Sequence, residues 1–369
     1  MSYKPVYVTR PYLPPLVEFI PYLEDIWESC SLTNGGQFHQ QFEKALCEEL
    51  GVGHVSLVAN GTIALIIALR AMQTVGEVIT TPYSFVATSH ALLWTGSRPV
   101  FVDIEPNTLN LDPAKIEAAV TKDTVGILPV HCYGHPCDVV AIQHIADKYN
   151  LKVIYDAAHA FGVRNAQGSI LRHGDLSVLS FHATKMFTTF EGGAIVCSDA
   201  RTKELVDQLR NFGIVDDISV ATVGINGKMS EFSAALGLLQ LKYVGQASAM
   251  RMGIDAVYRE QLKGIQGIRC LAPFPGDVVS GSYFPIVVEE DCNISRDALY
   301  HKLKDKDIHP RRYFYPLISN FPMYRDLPSA NSKNLPVATR LANQILCLPI
   351  YPAMDMSVVD EIVQCIRDV

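Results

Sequence analysis

Two short segments of the chain carry residues suited to covalent chemistry. Asp156 ends an apolar run, and Lys185 follows Ser180 in a Ser-x-x-x-x-Lys pattern. A lysine amine can form a Schiff base with an aldehyde, a strand-end carboxylate can pair with a pyridinium nitrogen, and a serine hydroxyl can bind a phosphate. Either charged residue alone is more often an ordinary surface or buried group, but the combination indicates a site for pyridoxal phosphate (PLP).

The turn Asn60-Gly61-Thr62 lies between a predicted strand and a predicted helix. Exposed backbone N–H groups and the helix dipole favour an anion at such a turn, where Gly61 allows close approach and Thr62 adds a hydroxyl. Many strand–helix turns carry glycine, so this turn alone is weak evidence. It is neither a Walker loop nor a GxGxxG motif, so the turn carries no recognised motif for binding ATP or NAD.

Four residues near these segments have two interpretations each. His159 is either a donor to the 3′-oxygen of the PLP ring or an ordinary structural histidine. Phe85 either stacks on the ring or belongs to the core. Glu191 precedes two glycines and is either a carboxylate near the substrate or a turn residue. Asp156 has the alternative of capping the backbone at Ala158.

A basic and aromatic loop lies in the C-terminal third of the chain. It contains Arg311, Arg312, Tyr313 and Tyr315. Arginine forks bind pyrophosphate well, so this loop is predicted to line a pocket for a nucleotide-sugar. A solvated basic turn is an equally good interpretation of the same residues.

Composition narrows the class of protein. The 369 residues are 49% hydrophobic and 19% charged, which predicts a large ordered core and suits a chain of two domains. The net charge of -7 gives no support for nucleic-acid binding, which requires a basic face. A phosphorylated ligand remains compatible with this charge because helix N-termini bind phosphate.

The nine cysteines show neither a CxxC pair nor a zinc spacing. The group His131, Cys132, His135 and Cys137 is a weak metal candidate, and we predict no metal site. An odd number of scattered thiols favours a reducing compartment. The N-terminus has no signal pattern and no apolar run reaches membrane length, so we predict a cytoplasmic protein without membrane contact.

Short β-rich runs alternate with helical patterns between about residues 40 and 245. The runs lack polar alternation, which is typical of strands buried on both faces. This rhythm predicts an α/β fold with a mostly parallel sheet and helices on both faces. The predicted strands are 55–59, 78–81, 99–102, 125–130, 153–156, 178–181 and 194–197, and the predicted helices are 62–72, 113–120, 139–149 and 229–243.

The pattern changes in the last third of the chain. We predict a smaller α/β domain there. Its predicted elements are a long helix to about Leu262, a strand at 282–288, a helix at 296–304 and a terminal helix from Ser357. We therefore predict a large domain of residues 1–245, which includes an N-terminal helical segment, and a small domain of residues 246–369.

Taken together, these motifs resemble those of the DegT/DnrJ/EryC1/StrS family of PLP-dependent sugar aminotransferases, over nearly the full length of the chain. The stretches that carry the resemblance are Thr33-Asn-Gly-Gly36, Asn60-Gly-Thr62, Asp156-Ala-Ala-His159, Ser180-Phe-His-Ala-Thr-Lys185, Glu191-Gly-Gly193 and Gly224-Ile-Asn-Gly-Lys-Met-Ser-Glu231. The resemblance implies fold type I, a homodimer with active sites at the subunit interface, and L-glutamate as the amino donor.

The resemblance also implies roles for single residues. Lys185 matches the Schiff-base lysine, Asp156 matches the partner of the pyridinium nitrogen, and His159 matches the position that touches the 3′-oxygen. Phe85 falls at an aromatic stacking position. The positions that match phosphate-binding residues of the family are Gly61, Thr62 and Ser180.

Two residues of the Gly224–Glu231 stretch match positions that act across the subunit interface or on the substrate. Asn226 matches an asparagine that reaches the phosphate from the neighbouring subunit. Lys228 is a predicted contact to the nucleotide-sugar. It departs from the family pattern, because many members carry arginine at this position.

The family includes a dehydratase branch in which histidine replaces the lysine, so Lys185 favours transamination. The amino-acid sequences of residues 181–185 and 224–229 most resemble those of family members that make dTDP-4-amino-4,6-dideoxyglucose. The resemblance therefore implies transfer of an amino group from L-glutamate to the 4-keto carbon of dTDP-4-keto-6-deoxy-D-glucose, with a role in O-antigen or other surface-glycan synthesis.

Two alternatives to this reaction stay open. An aminotransferase for 3-keto sugars would share the same lysine, aspartate and phosphate turn. A PLP-binding regulator without turnover is the other alternative, and the intact pair of Lys185 and Asp156 counts against it.

Overall fold

The computed structural model describes residues 5–273 and 281–368. Its strands, in chain order, are β1 Val6–Tyr7, β2 His54–Val58, β3 Glu77–Thr80, β4 Arg98–Phe101, β5 Thr124–Leu128, β6 Lys152–Asp156, β7 Arg164–Asn165, β8 Gly168–Ser169, β9 Leu176–Ser180, β10 Gly193–Cys197, β11 Ile268–Cys270, β12 Phe284–Val288, β13 Ile308–His309 and β14 Ile345–Leu348. Its α-helices are α1 Leu16–Ser29, α2 Gln37–Leu50, α3 Gly61–Ala71, α4 Ala87–Trp94, α5 Pro113–Ile116, α6 Val139–Tyr149, α7 Ala200–Leu209, α8 Glu231–Leu241, α9 Val244–Leu262, α10 Arg296–Lys304, α11 Pro336–Gln344 and α12 Met356–Arg367.

A seven-stranded sheet with the order β2-β10-β9-β6-β5-β3-β4 forms the centre of the molecule. Its strand pairs are parallel except that β10 runs antiparallel to both β2 and β9. The mostly parallel α/β fold predicted from the sequence is therefore confirmed. The antiparallel direction of β10 follows from its connection, because the loop after β9 returns directly without a crossover helix.

Helices cover both faces of this sheet. Ile154 and Val178 pack with the apolar side chains of α3 on one face, while Val153 and Tyr155 pack with α6 on the other. Helix α3 is buried along most of its length, as its nearly continuous apolar sequence predicts. Burial on both faces explains why the strands show continuous apolar runs.

A smaller antiparallel sheet, in the order β11-β12-β14, packs with α9, α10 and α12 around a separate core. The buried carboxylate of Asp103 joins the two parts, because it accepts hydrogen bonds from the N–H groups of Val337 and Ala338 at the start of α11. Strand β1 pairs with β13 in a separate two-stranded sheet, and Val6 and Ile308 of this pair pack against the core of the smaller sheet. The division into domains of residues 1–245 and 246–369 stays a prediction. These two ranges include residues 1–4, 274–280 and 369, which lie outside the described part of the chain.

The predicted elements agree closely with the structure. Helices 139–149 and 296–304 have the predicted bounds, and the predicted strands shift by about two residues at most. The predicted helix 113–120 is instead a short α5 followed by a 3-10 turn, Glu117–Ala119. Within residues 5–273 and 281–368, no helix has the length and apolar character needed to cross a membrane.

Candidate active site

A cavity of about 570 Å³ lies where β2, β3, β6 and β9 end, on the side at which loops leave the parallel strands. Open parallel sheets bind ligands at this edge because the backbone turns there into helix N-termini and loops. The predicted site residues that line this cavity are Gly61, Thr62, Phe85, Asp156, His159, Ser180, Lys185, Glu191 and Tyr313.

Asp156, the last residue of β6, forms the buried end of the cavity. One carboxylate oxygen accepts a hydrogen bond from the hydroxyl of Thr88 at 2.8 Å, and the other accepts from the Ala158 N–H at 3.1 Å. Burial raises the pKa of Asp156 above its usual value, while the two hydrogen bonds and the nearby Lys185 oppose that rise. The contact with Ala158 means that the cap interpretation and the cofactor interpretation apply to the same side chain.

Lys185 lies in the loop between β9 and β10 and faces the same cavity. A hydrogen bond from its backbone N–H to the His182 carbonyl, 2.9 Å long, closes a turn in this loop. Burial lowers the pKa of Lys185 to about 8, although the charge of Asp156 opposes the change. A substantial fraction of this amine is therefore neutral near physiological pH, which a nucleophile or base requires.

His159 follows Asp156 by three residues and is also buried. Its Nδ1 accepts a hydrogen bond from the Tyr133 N–H at 3.2 Å, and its ring stacks on Phe314 with centroids 6.0 Å apart. Burial, with a contribution from Lys185, lowers the pKa of His159 well below its usual value. A neutral ring that accepts at Nδ1 carries its proton on Nε2, so Nε2 is the hydrogen-bond donor.

The turn at the start of α3 lies against the end of β9. Asn60 caps this helix, because its side chain accepts a hydrogen bond from the Ile63 N–H at 2.9 Å. A Cβ atom added to Gly61 would lie 2.8 Å from the Cβ of Ser180, so only glycine leaves room there. The helix N-terminus and the hydroxyls of Thr62 and Ser180 therefore share one wall of the cavity and can bind an anion.

The remaining predicted residues on the cavity wall are less buried. Phe85 is 59% exposed, which argues against the alternative that it belongs to the core. The side chain of Glu191 is 62% exposed and lies 3.5 Å from Nε2 of His182. The Tyr313 backbone carbonyl accepts a hydrogen bond from the Tyr83 hydroxyl at 3.0 Å, which fixes this part of the loop.

Five predicted residues do not line the cavity within a single chain, and one of them, Arg312, pairs with Asp297 at 2.9 Å. Asn226 is exposed, and Lys228 is held by Asn211 through a 2.8 Å hydrogen bond. Arg311 pairs through its backbone with Cys347, and the Tyr315 ring contacts the Arg296 guanidinium at 4.6 Å. The roles assigned to these five residues from the sequence stay predictions.

Sequence reasoning missed several residues of this cavity. Thr88 bonds Asp156, Phe314 supports His159, and Ser84, His182, Thr184 and Tyr283 are further parts of the wall. Ser84 and Thr88 lie in the same segment as Phe85, but their spacing carries no recognisable motif. Phe314 and Tyr283 come from the C-terminal part of the chain and reach the cavity only through tertiary packing.

The residues of the cavity fit PLP. The wall at α3 offers a helix N-terminus and hydroxyls to a phosphate, Asp156 offers a buried carboxylate to a ring nitrogen, and Lys185 offers an amine of lowered pKa to an aldehyde. His131 and Cys137, from the group considered as a weak metal candidate, contact each other, since His131 Nδ1 accepts a hydrogen bond from the Cys137 N–H at 3.0 Å. Among the described side chains, no group of three or more could hold a metal ion.

The fold and this site define the class of a PLP-dependent enzyme. Residues 17–367 match the sequence profile of the DegT/DnrJ/EryC1/StrS aminotransferase family, and the chain belongs to that family. A relative from Shigella dysenteriae, named dTDP-4-amino-4,6-dideoxy-D-glucose transaminase, is 55% identical over 99% of both chains.

Two solved structures show the same fold. DesI, in the presence of its TDP-sugar product, is 34% identical with a TM-score of 0.93 over 99% of this chain and 93% of that chain. NtdA from Bacillus subtilis, with bound cofactor PMP, is 29% identical with a TM-score of 0.87 over 95% of this chain and 81% of that chain.

Proposed function

We propose that this protein is a PLP-dependent aminotransferase that converts L-glutamate and dTDP-4-keto-6-deoxy-D-glucose into 2-oxoglutarate and dTDP-4-amino-4,6-dideoxyglucose. The observation that carries the proposal is the position of Lys185 and Asp156 on one cavity, with the anion-binding turn of Gly61 on its wall. The 55% identity to the Shigella relative supports the choice of sugar, since its name gives this product. The cofactor PMP in the NtdA structure supports the choice of PLP.

The cavity residues divide the binding of the cofactor among themselves. Gly61, Thr62 and Ser180 would hold its phosphate, and Asp156 would accept a hydrogen bond from its ring nitrogen. His159 would donate from Nε2 to its 3′-oxygen, because the Tyr133 N–H already occupies Nδ1. When bound, PLP supplies an electron-accepting ring and a group that carries the amine between the two substrates.

Lys185 is the proposed acid and base of the reaction. Its amine would remove the proton from Cα of L-glutamate and later deliver a proton to C4 of the keto sugar. The pKa of about 8 leaves both the neutral and the charged form populated near neutral pH, as a group that alternates between the two roles requires. Glu191 and Tyr313 are the proposed contacts to the substrates from the cavity wall.

We infer further that the enzyme is a homodimer with shared active sites. Residues 212–225, here called the apolar surface segment, expose large hydrophobic side chains, with Ile218 95% and Val223 79% exposed. Apolar surface of this kind is typical of an interface between protein subunits. Asn226 and Lys228 follow the segment closely in sequence, and we propose that in the dimer they reach the cavity of the partner subunit.

Two measurements test the dimer. Light scattering after size-exclusion chromatography should give twice the chain mass. Lys185→Ala and Asn226→Ala should each lose activity, and unfolding and refolding them together should restore about a quarter of it, since half of the random dimers are mixed and each has one intact site. A monomer, or an inactive mixture, would overturn shared sites.

The reaction itself is tested with PLP, L-glutamate and two keto sugars in parallel. The substrates are dTDP-4-keto-6-deoxy-D-glucose and its 3-keto isomer, with conversion followed by mass spectrometry and the amine position by NMR. We expect amination of the 4-keto sugar alone. Amination of the 3-keto sugar alone would contradict the proposed substrate, and failure of glutamate to bleach the bound cofactor would contradict the proposed activity.

We also propose that the enzyme works in the cytoplasm. All nine cysteines lie in the described part of the chain, and each is a free thiol. Free thiols in this number persist in a reducing compartment. Cell fractionation with an antibody against the chain tests the location, and recovery in the periplasmic fraction would contradict it.

A further inference from the structure

A chain of buried hydroxyl groups leads to Asp156. Thr88 on α4 is fully buried, and its hydroxyl lies 2.8 Å from one carboxylate oxygen of Asp156. The hydroxyl of Ser84, itself 5% exposed, lies 2.8 Å from the same Thr88 oxygen. Both hydroxyls come from the loop and helix that follow β3, whereas Asp156 ends β6. The contact therefore joins two elements that are far apart in sequence.

The direction of these hydrogen bonds depends on the charge of Asp156. An ionised carboxylate only accepts, so the single proton of Thr88 must point to it and Ser84 must donate to Thr88. A protonated carboxyl would donate to Thr88 instead. Ser84 can donate to Thr88 in the first arrangement or accept from it in the second. The first arrangement is favoured because hydrogen bonds to a charged acceptor are the stronger kind. The chain of hydroxyls thus favours the ionised carboxylate.

The orientation of the carboxylate is fixed at the same time. Thr88 donates to one oxygen and the Ala158 N–H donates to the other, at 2.8 Å and 3.1 Å. Each oxygen has a second lone pair, so the pair of donors leaves an acceptor available for a ligand in the cavity. Thr88 and Ser84 also line the cavity, next to the site of that ligand.

We propose that Thr88, oriented by Ser84, is a positioning residue that keeps Asp156 ionised and aligned, so that the ring nitrogen of the cofactor stays protonated. The inference rests on the proposed function, because it assumes that PLP occupies the cavity with its ring nitrogen at Asp156. A protonated ring nitrogen is what makes the ring an effective acceptor of electrons. Thr88 acts only through Asp156.

The first test uses the apoprotein and does not involve the cofactor. The Asp156 carboxyl is followed by ¹³C NMR during a pH titration, with Asp156→Asn to assign its signal. Thr88→Val removes the hydroxyl at nearly constant volume, and we expect the midpoint of the titration to rise by about one pH unit. Thr88→Ser should keep the wild-type midpoint, and Ser84→Ala should give a smaller rise.

The second test measures the cofactor directly. PLP labelled with ¹⁵N in the ring gives a signal that distinguishes a protonated from a neutral ring nitrogen. We expect the wild type and Thr88→Ser to show the protonated signal. In Thr88→Val the proton should move towards Asp156, because a carboxylate without its donor is more basic, with a change of about tenfold in the proton-transfer equilibrium.

Thr80→Val is the matched control. Thr80 is a fully buried threonine of β3, and its hydroxyl bonds the Leu128 carbonyl at 2.7 Å without contact to Asp156. It should leave both signals unchanged. If Thr88→Val fails to fold, Ser84→Ala is judged by the same two signals.

The outcomes separate this inference from the proposed function. Unchanged signals in both Thr88→Val and Ser84→Ala, in either test, would overturn the role of Thr88 while leaving the enzyme assignment intact. An equal effect of Thr80→Val would also overturn it, since the change would then be a general loss of packing. A wild-type protein that binds no labelled PLP would overturn the proposed function and this inference with it.

Discussion

Two carboxylates of the molecule, the partly buried Glu43 and the buried Asp156, have surroundings that differ in kind. Glu43 on α2 accepts from the Arg210 guanidinium at 2.7 Å and from the Lys203 amine at 3.0 Å. Asp156 accepts from the Thr88 hydroxyl and the Ala158 N–H. Two cations of the same chain therefore balance Glu43, whereas the hydrogen-bond donors to Asp156 are uncharged.

The pKa values of the two groups follow this difference. Burial tends to raise the pKa of Glu43, but Arg210 and Lys203 outweigh it and the pKa falls below its usual value. Burial raises the pKa of Asp156, and its neutral donors and Lys185 do not reverse the rise. A carboxylate that only stabilises the fold is neutralised within the chain, while one that serves a ligand keeps its charge available to that ligand.

Loss of the lysine should give the largest effect at the site. Lys185→Ala removes the proposed base, and we expect turnover to fall by roughly 10²–10⁴-fold or more. The thermal midpoint of the apoprotein should not decrease, because burial of the amine opposes folding. Lys148→Ala is the control, since this exposed lysine pairs with Glu117 far from the cavity. Near-normal turnover of Lys185→Ala would contradict the assignment of Lys185 as the base.

Neutralising each carboxylate in turn tests the comparison directly. Asp156→Asn should reduce turnover by about 10²–10³-fold with little loss of stability, because it removes a charge that acts on the ligand. Glu43→Gln should reduce the free energy of unfolding by about 1–3 kcal/mol, since Arg210 and Lys203 lose one of their two carboxylate partners and keep Asp207. Turnover of the folded enzyme should be nearly unchanged. Chemical denaturation and steady-state kinetics on both variants give the answer. The reverse pattern would show that the two roles are exchanged.

The cavity should respond to alkaline pH. The pKa of Lys185 is about 8 in the folded apoprotein and 10.5 as the ordinary value, so the unfolded chain binds more protons between these limits. Stability therefore rises with pH across that window, by on the order of 1–3 kcal/mol from this group. Urea denaturation at about pH 7 and about pH 10 should show a larger increase in the free energy of unfolding for the wild type than for Lys185→Met. Equal gains would mean that Lys185 titrates normally.

The charged cluster around Glu43 should respond to acid instead. Burial and the nearby Arg210 lower the pKa of His39 to about 4 from the ordinary 6.5. The unfolded chain then binds more protons between these values, so stability falls as the pH drops through the window, by on the order of 1–3 kcal/mol. In His39→Gln this part of the acid sensitivity should be absent. If the wild type and His39→Gln lose stability equally as the pH falls, the lowered pKa of His39 is contradicted.

The sequence predicted the parts of the structure that depend on local pattern. The apolar runs at 153–156 and 178–181 became β6 and β9, and the continuous apolar helix became the buried α3. Strand ends place Asp156 and Ser180 at one edge of a parallel sheet, so their meeting followed from the fold class. The direction of β10 did not follow, since it depends on how the loop containing Lys185 returns.

The parts of the site that escaped prediction depend on contacts distant in sequence. The bond between Thr88 and Asp156 spans 68 residues, and the stack of His159 on Phe314 joins two halves of the chain. Neither contact has a spacing or composition that a single sequence reveals. Asn226 and Lys228 show the opposite case, because their motif was recognisable while a single chain keeps them away from the cavity.

The central claim is that Lys185 is the residue that bonds to the cofactor. The protein is incubated with PLP, reduced with borohydride, digested and analysed by mass spectrometry. We predict a pyridoxyl group on the peptide that contains Lys185 in the wild type, and no labelled peptide in Lys185→Ala. A label on another lysine, or a wild-type protein that remains unlabelled, would contradict the account.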